Sequence, residues 1–139
     1  MLVVDTCILI DIADDDPTYA LASTECLVKH LAGGVLLSPI SYVELAPVFD
    51  GSTQLLDEFL AGVGVDASEV FTALDRVAAF RAWARHITDK RTGQTRRRPV
   101  ADALIGALAA RHDGLMTRNE SDFRSFYPTL RIVDPTVIG

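Results

Sequence analysis

The sequence has few cysteines and histidines, a single tryptophan and no long hydrophobic run. Its two cysteines in 139 residues, Cys7 and Cys26, make neither a disulfide framework nor the spacing of a metal–thiolate site. Both fall in apolar helical contexts, where a buried free thiol is the ordinary expectation. The three histidines, His30, His86 and His112, stand near the ends of predicted helices beside basic or glycine residues. They suit C-terminal capping there, so no Ser/His/Asp or Cys/His catalytic set stands out. No apolar stretch approaches the roughly 20 residues that span a bilayer, and no basic segment leads into an apolar one at the start. A soluble, cytoplasmic protein is expected. No Gly-rich turn follows the first apolar run, which counts against a dinucleotide-binding fold.

Positive charge is scarce too. With 13 Lys+Arg against 19 Asp+Glu, the net charge is −6. Such a balance argues against a protein that coats nucleic acid by its overall field. The basic charge is concentrated, because Lys90, Arg91, Arg96, Arg97 and Arg98 supply five of the 13 cations in one stretch. Asp14, Asp15 and Asp16 form an acidic knot elsewhere. At 49% hydrophobic and 23% charged residues the composition is globular. The length fits a single domain, residues 1–139, with a real core.

Short apolar runs at 2–4, 35–37, 115–116 and 130–133 read as strands, with a further short one at 63–65. Helical patterns fill 6–12, 19–31, 38–49, 53–60, 69–87, 99–111 and 119–126. Ser38-Pro39 is a good helix start and Gly33-Gly34 a good stop. The helix at 19–31 should turn Ala20, Leu21, Leu27, Val28 and Leu31 inward. The longest should do the same with Val70, Leu74, Val77, Phe80, Ala84 and Ile87. Residues 89–98 are polar and basic and read as a loop. Alternating strands and helices imply right-handed parallel crossovers. The fold class is therefore α/β: a three-layer α/β/α sandwich around a mostly parallel sheet of four to five short strands.

Four acids stand out where strands hand over to helices. Asp5 closes the first apolar run, Glu44 follows the second, Asp102 heads the Ala-rich helix, and Asp122 follows Leu115-Met116. Each has an ordinary explanation as well. Asp5 makes a good N-cap, and Ser41 with Glu44 has the form of a capping box. Ser38-Pro39 is nonetheless the better start for that helix, and by itself Glu44 is best read as solvated. Asp102 complements a helix dipole, and Asn119 with Asp122 suits N-cap and N3. The helix at 99–111 is apolar nearly all round, so a charge such as Asp102 needs a partner or a cation. Local evidence is strongest at Asp102 and Asp122.

In an open parallel sheet the carboxyl ends of the strands share one ligand-binding edge. Four acids converging there could not all stay ionised without a cation. Oxygen donors with neither Cys nor His suit Mg²⁺ or Mn²⁺. A basic stretch near such an acidic pocket suggests a polyanion held beside a metal, and phosphodiester hydrolysis is the natural reaction.

The segments Val3-Val4-Asp5-Thr6, Ser38-Pro39-Ile40-Ser41-Tyr42-Val43-Glu44-Leu45, Ala101-Asp102-Ala103-Leu104-Ile105-Gly106-Ala107 and Leu115-Met116-Thr117-Arg118-Asn119-Glu120-Ser121-Asp122-Phe123 together resemble a PIN-domain ribonuclease of the VapC toxin type. The run Thr117-Arg118-Asn119 through Asp122-Phe123 is the most specific of them. The resemblance implies a metal-dependent endoribonuclease that cleaves tRNA, rRNA or mRNA. It also implies a homodimer and inhibition by a small VapB-like antitoxin. Asp5, Glu44, Asp102 and Asp122 would surround Mg²⁺ or Mn²⁺, with Thr6, Thr117 and Asn119 as polar support.

The stretch 88–98 is longer and more basic than the resemblance requires. Lys90, Arg91, Arg96, Arg97 and Arg98 would form an RNA-binding arm, because such contacts position a backbone without reading its sequence. The competing reading is a non-catalytic module that uses the same fold to hold RNA or a protein. An aspartyl-phosphate enzyme built on Asp5 lacks support, since the second acid it would want falls at Cys7. An acidic pocket also invites an Arg or Lys from the antitoxin to pair with its carboxylates.

Overall fold

Val3 and Val4 are fully buried at the centre of the molecule, because the strand that carries them has neighbours on both sides. In the computed structural model, which describes residues 1–91 and 100–137, β1 (Leu2–Val4) lies between β2 (Val35–Leu36) and β3 (Leu115–Met116). β4 (Ile132–Val133) pairs with β3, giving the order β2-β1-β3-β4 with every pairing parallel. Val3 stands opposite both Leu36 and Leu115. Strands covered on both faces read as continuous apolar runs, which is why such short segments are legible. Alternation then divides their side chains between two cores. Leu2, Val4, Val35 and Met116 pack with Ile8, Leu9, Leu27, Leu56 and Leu60. Val3, Leu36 and Leu115 pack with Ile105, Leu108, Phe123 and Leu130 on the other face. These are the layers of the expected sandwich.

The helices are α1 (Thr6–Ala13), α2 (Ala20–His30), α3 (Pro39–Glu44), α4 (Thr53–Val63), α5 (Ala73–Arg91), α6 (Val100–Arg111) and α7 (Glu120–Arg124). None among the described residues is long and apolar enough to cross a membrane. The Ser38 hydroxyl caps α3 by accepting from the Ser41 amide at 3.1 Å, with Pro39 in the first turn. The helix was expected to reach residue 49 but ends at Glu44, and a 3₁₀ turn (Ala46–Phe49) follows. Pro47 has no amide hydrogen with which to continue an α-helix. The expected strand at 63–65 is not formed either. Val63 still belongs to α4, Gly64 turns left-handed at φ 81°, and a single bridge joins Leu36 to Asp66.

Two helices face differently from their apolar patterns. In α2 the buried residues are Ala20, Ser23 and Leu27, while Leu21 and Val28 are exposed. The departure in α5 is larger. Thr72 and Asp75 cap each other, the Thr72 amide donating to Asp75 at 2.9 Å and the Asp75 amide to the Thr72 hydroxyl at 3.2 Å. The helix therefore starts at Ala73 and turns Asp75, Ala79, Ala82 and His86 inward, leaving Leu74 and Phe80 each 75% exposed. Asp75 decides this, because Arg111 of α6 donates to it twice, at 2.9 and 3.0 Å. Small residues fit the seam beside that ion pair, where Ala79 and Ala82 meet Ala103 and Ala107.

α5 also runs through residues 89–91, expected in a loop, so the backbone of Lys90 and Arg91 is helical. Arg96, Arg97 and Arg98 lie outside the described residues. His86 is correspondingly not at a helix end; it is buried, 5.1 Å from the Phe126 ring and 5.2 Å from Trp83. His30 does sit at the end of α2, its Nδ1 2.9 Å from the Cys26 carbonyl.

Candidate functional site

Asp5 is the point from which the site is built. It ends β1 in extended backbone and caps α1, its Oδ1 accepting from the Thr6 amide at 2.8 Å. Its Oδ2 accepts from the Thr117 hydroxyl at 2.8 Å and from the Cys7 thiol at 3.4 Å. Only 7% of the residue is exposed. Burial raises the Asp5 pKa, the three hydrogen bonds oppose that rise, and the charge of Glu44 adds to it.

Glu44 closes α3 and stays exposed, yet its Oε1 accepts from the Thr6 hydroxyl at 2.8 Å. Thr6 therefore serves both acids, with its amide on Asp5 and its hydroxyl on Glu44. The reading of Glu44 as simply solvated gives way to this contact across the fold. Thr117, fully buried, also accepts from the Asn119 amide at 3.0 Å. Asn119 stands at the N-cap position of α7 without capping it through its side chain.

Topology brings the other two acids to the same edge. α6 leads into β3 and so runs against the strands, which places its first turn, with Asp102, at their carboxyl ends. α7 leaves β3 at that end and carries Asp122 in its first turn. Both acids are half-buried. α6 is buried along Ala103 and from Ile105 to Ala109, as its composition predicts. Among the described residues, no three His, Cys, Asp or Glu side chains are gathered closely enough to hold a metal ion as they stand. The close set is Asp5, Glu44, Thr6 and Thr117. A cleft of about 500 Å³ between α2 and the segment after β4, lined by residues including Cys26, His30 and Asp134, contains none of the four acids.

Sequence reasoning passed over two features. Cys7 is not only packing, since its thiol lies on Asp5 and 3.7 Å from the Thr117 hydroxyl. Burial and the neighbouring Asp5 charge push its pKa up to about 12, so it stays a neutral thiol. The second is Asp11, 2% exposed in α1 and gripped by Arg118 at 2.8 and 2.9 Å. The signal that flagged Asp102, a charge within an apolar helix, applied equally to Asp11.

A family model described as PIN domain matches residues 2–127. No curated protein matches the chain. Among solved structures, one of FitAB bound to an IR36 DNA fragment superimposes with a TM-score of 0.70 at 16% identity, covering 100% of this chain and 98% of that one. FitAcB from Neisseria gonorrhoeae gives 0.69 at 19% identity, covering 99% of this chain and 100% of that one. At such identities the likeness is one of fold.

Proposed function

The chain belongs to the PIN domain family, and from that premise we propose that it is a Mg²⁺- or Mn²⁺-dependent endoribonuclease toxin held in check by an antitoxin. The observation that carries the reading is the treatment of Asp5. A carboxylate whose pKa burial raises keeps three donors and faces a second carboxylate, Glu44, which adds to the rise. A hard cation relieves that repulsion, and the oxygen donors on this edge suit one. Asp5 and Glu44 would hold it, with Asp102 and Asp122 supplied from the first turns of α6 and α7. When bound, such an ion neutralises charge on a phosphate and makes a water more acidic.

The chain's own residues do the positioning. Thr6 sets the spacing of Asp5 and Glu44, while Thr117 fixes the Asp5 carboxylate and, through its hydroxyl, the Asn119 backbone. RNA is the proposed substrate, with Lys90, Arg91, Arg96, Arg97 and Arg98 as its phosphate contacts. An Arg or Lys of the antitoxin would pair with the carboxylates. One similar structure holds FitAB on DNA, which accords with a partnered protein.

A second copy of the chain is part of the reading. The outward face of α5 and the residues before it expose Val70, Leu74, Val77 and Phe80. An antiparallel pairing about Val77 would set Leu74 of one protomer against Phe80 of its partner, a self-complementary contact of the kind a two-fold axis requires.

The test is cleavage of a structured RNA by the purified protein with Mn²⁺, abolished in Asp5→Asn. Mn²⁺ titration separates this from the non-catalytic alternative, which gains from the absence of three closely gathered acids among the described residues. RNA binding without Mn²⁺ uptake or cutting would establish that alternative.

A further inference from the structure

We propose that Arg118 is a positioning residue, clamping the β3–α7 connection to α1 so that Thr117, Asn119 and Asp122 are presented to Asp5 in one fixed arrangement. The proposal rests on the nuclease reading for what is positioned, and on geometry for the clamp itself.

The Arg118 guanidinium leaves the loop and meets Asp11 through both prongs, Nε to Oδ2 at 2.8 Å and Nη2 to Oδ1 at 2.9 Å. Asp11 is almost wholly buried and takes a third hydrogen bond from the Ser23 hydroxyl of α2 at 3.0 Å. The guanidinium also lies over the Tyr19 ring, 4.0 Å from its centre. Two parallel hydrogen bonds and a stacked face fix orientation as well as position.

What matters is where the two ends of the clamp fall. Thr117 and Arg118 are adjacent, and both hold α1. Thr117 takes the Asp5 carboxylate at its start, and Arg118 takes Asp11 about 9 Å further along the axis. On the other side, the Thr117 amide donates to the Val133 carbonyl of β4 at 3.0 Å. A segment pinned at both ends of a helix and to a strand can neither slide nor roll. Asn119 follows directly, tied to the Thr117 hydroxyl, and Asp122 rides on the short helix that begins one residue later.

A buried ion pair is a poor way to add stability, because apolar residues of similar volume commonly do as well or better. Its orienting power is what such a replacement loses, and this separates the two roles. Arg118→Met strands the Asp11 charge and should lower the melting temperature. The double variant Asp11→Leu/Arg118→Met should restore it to near wild type. If the clamp positions the loop, the restored double will still exchange amide hydrogens over residues 117–124 at least about tenfold faster than wild type, with β1 unchanged. Its Mn²⁺ affinity will fall about 10- to 100-fold, the usual loss when a group that orients metal ligands is removed. Arg118→Lys, which keeps the charge without the fork, should exchange at an intermediate rate. Wild-type exchange over 117–124 in both the restored double and Arg118→Lys would overturn the clamp. A wild-type protein that takes up no Mn²⁺ would instead overturn the nuclease reading, while the exchange rates would still decide the clamp.

Discussion

Thr117 donates its hydroxyl to the Asp5 carboxylate at 2.8 Å, joining two residues 112 positions apart in the chain. That bond satisfies a buried oxygen and orients the carboxylate. Thr117→Val keeps the shape and removes the donor. Under the nuclease reading, RNA cleavage should fall about 10- to 100-fold with a smaller change in melting temperature. Cleavage assays alongside thermal unfolding check this, and an unchanged rate would count against the role assigned to Thr117.

Gly106 lies on α6, one turn after Asp102. A Cβ there would stand 2.4 Å from the Tyr127 ring, which cannot swing away freely because its hydroxyl donates to the Ala103 carbonyl at 2.6 Å. Alanine ordinarily gains about 1 kcal/mol over glycine inside a helix. Overpacking costs about 1–3 kcal/mol, so Gly106→Ala should be net destabilising. Adding Tyr127→Ala should remove the penalty attributable to the clash, as a double-mutant cycle would report.

Asp75 gives a dependence on pH. Burial alone would raise its pKa, but the Arg111 and Thr72 hydrogen bonds win and hold it below the ordinary carboxylate value. A depressed folded pKa means the contribution is fully present above the unfolded value of about 3.9 and is lost as pH falls through the folded one. Asp75→Asn should cost about 1.5–3 kcal/mol at neutral pH, as for lost hydrogen bonds to a charged group, because Arg111 is partly exposed and keeps Glu69 at 3.5 Å. The gap between variant and wild type should then narrow below about pH 4. Denaturant unfolding across pH 3–7 measures it.

The outward face of α5 predicts an oligomeric state. Phe80 is 75% exposed and belongs to none of the three hydrophobic clusters among the described residues. Phe80→Glu should leave the unfolding free energy of the monomer within about 0.5 kcal/mol of wild type. It should also shift sedimentation velocity from dimer toward monomer. A wild-type chain that sediments as a monomer at high concentration would remove the second copy from this face.

β1, β2 and β3 were legible because each is buried on both faces and so is apolar throughout, whereas β4 is only partly buried and is shorter than the run 130–133 that marked it; Leu115-Met116 needs no other signal. Ser38-Pro39 located α3 through local chemistry. The facing of α5 was hidden because this helix has two nonpolar stripes, and periodicity favours the one with larger side chains. Asp75 pairing with Arg111 chose the other, through a contact made by a different helix. The site was legible in the same uneven way. Asp102 and Asp122 had the stronger local evidence, yet the tightest geometry joins Asp5 to Glu44 through Thr6, across 38 residues of chain. Asp11 was missed because its partner, Arg118, lies beyond any local pattern.

The place of β1 has a consequence for biosynthesis. It is made before both of its partner strands, and it stands in the middle of the sheet, with Val3 paired to both Leu36 and Leu115. Until Leu115-Met116 leaves the ribosome, one flank of β1 is open and Asp5 has no Thr117. Contacts this distant in sequence form late and slowly. A nascent chain therefore carries Asp5 without the hydroxyl that orders it, and the candidate site is assembled only after the Thr117 segment has followed.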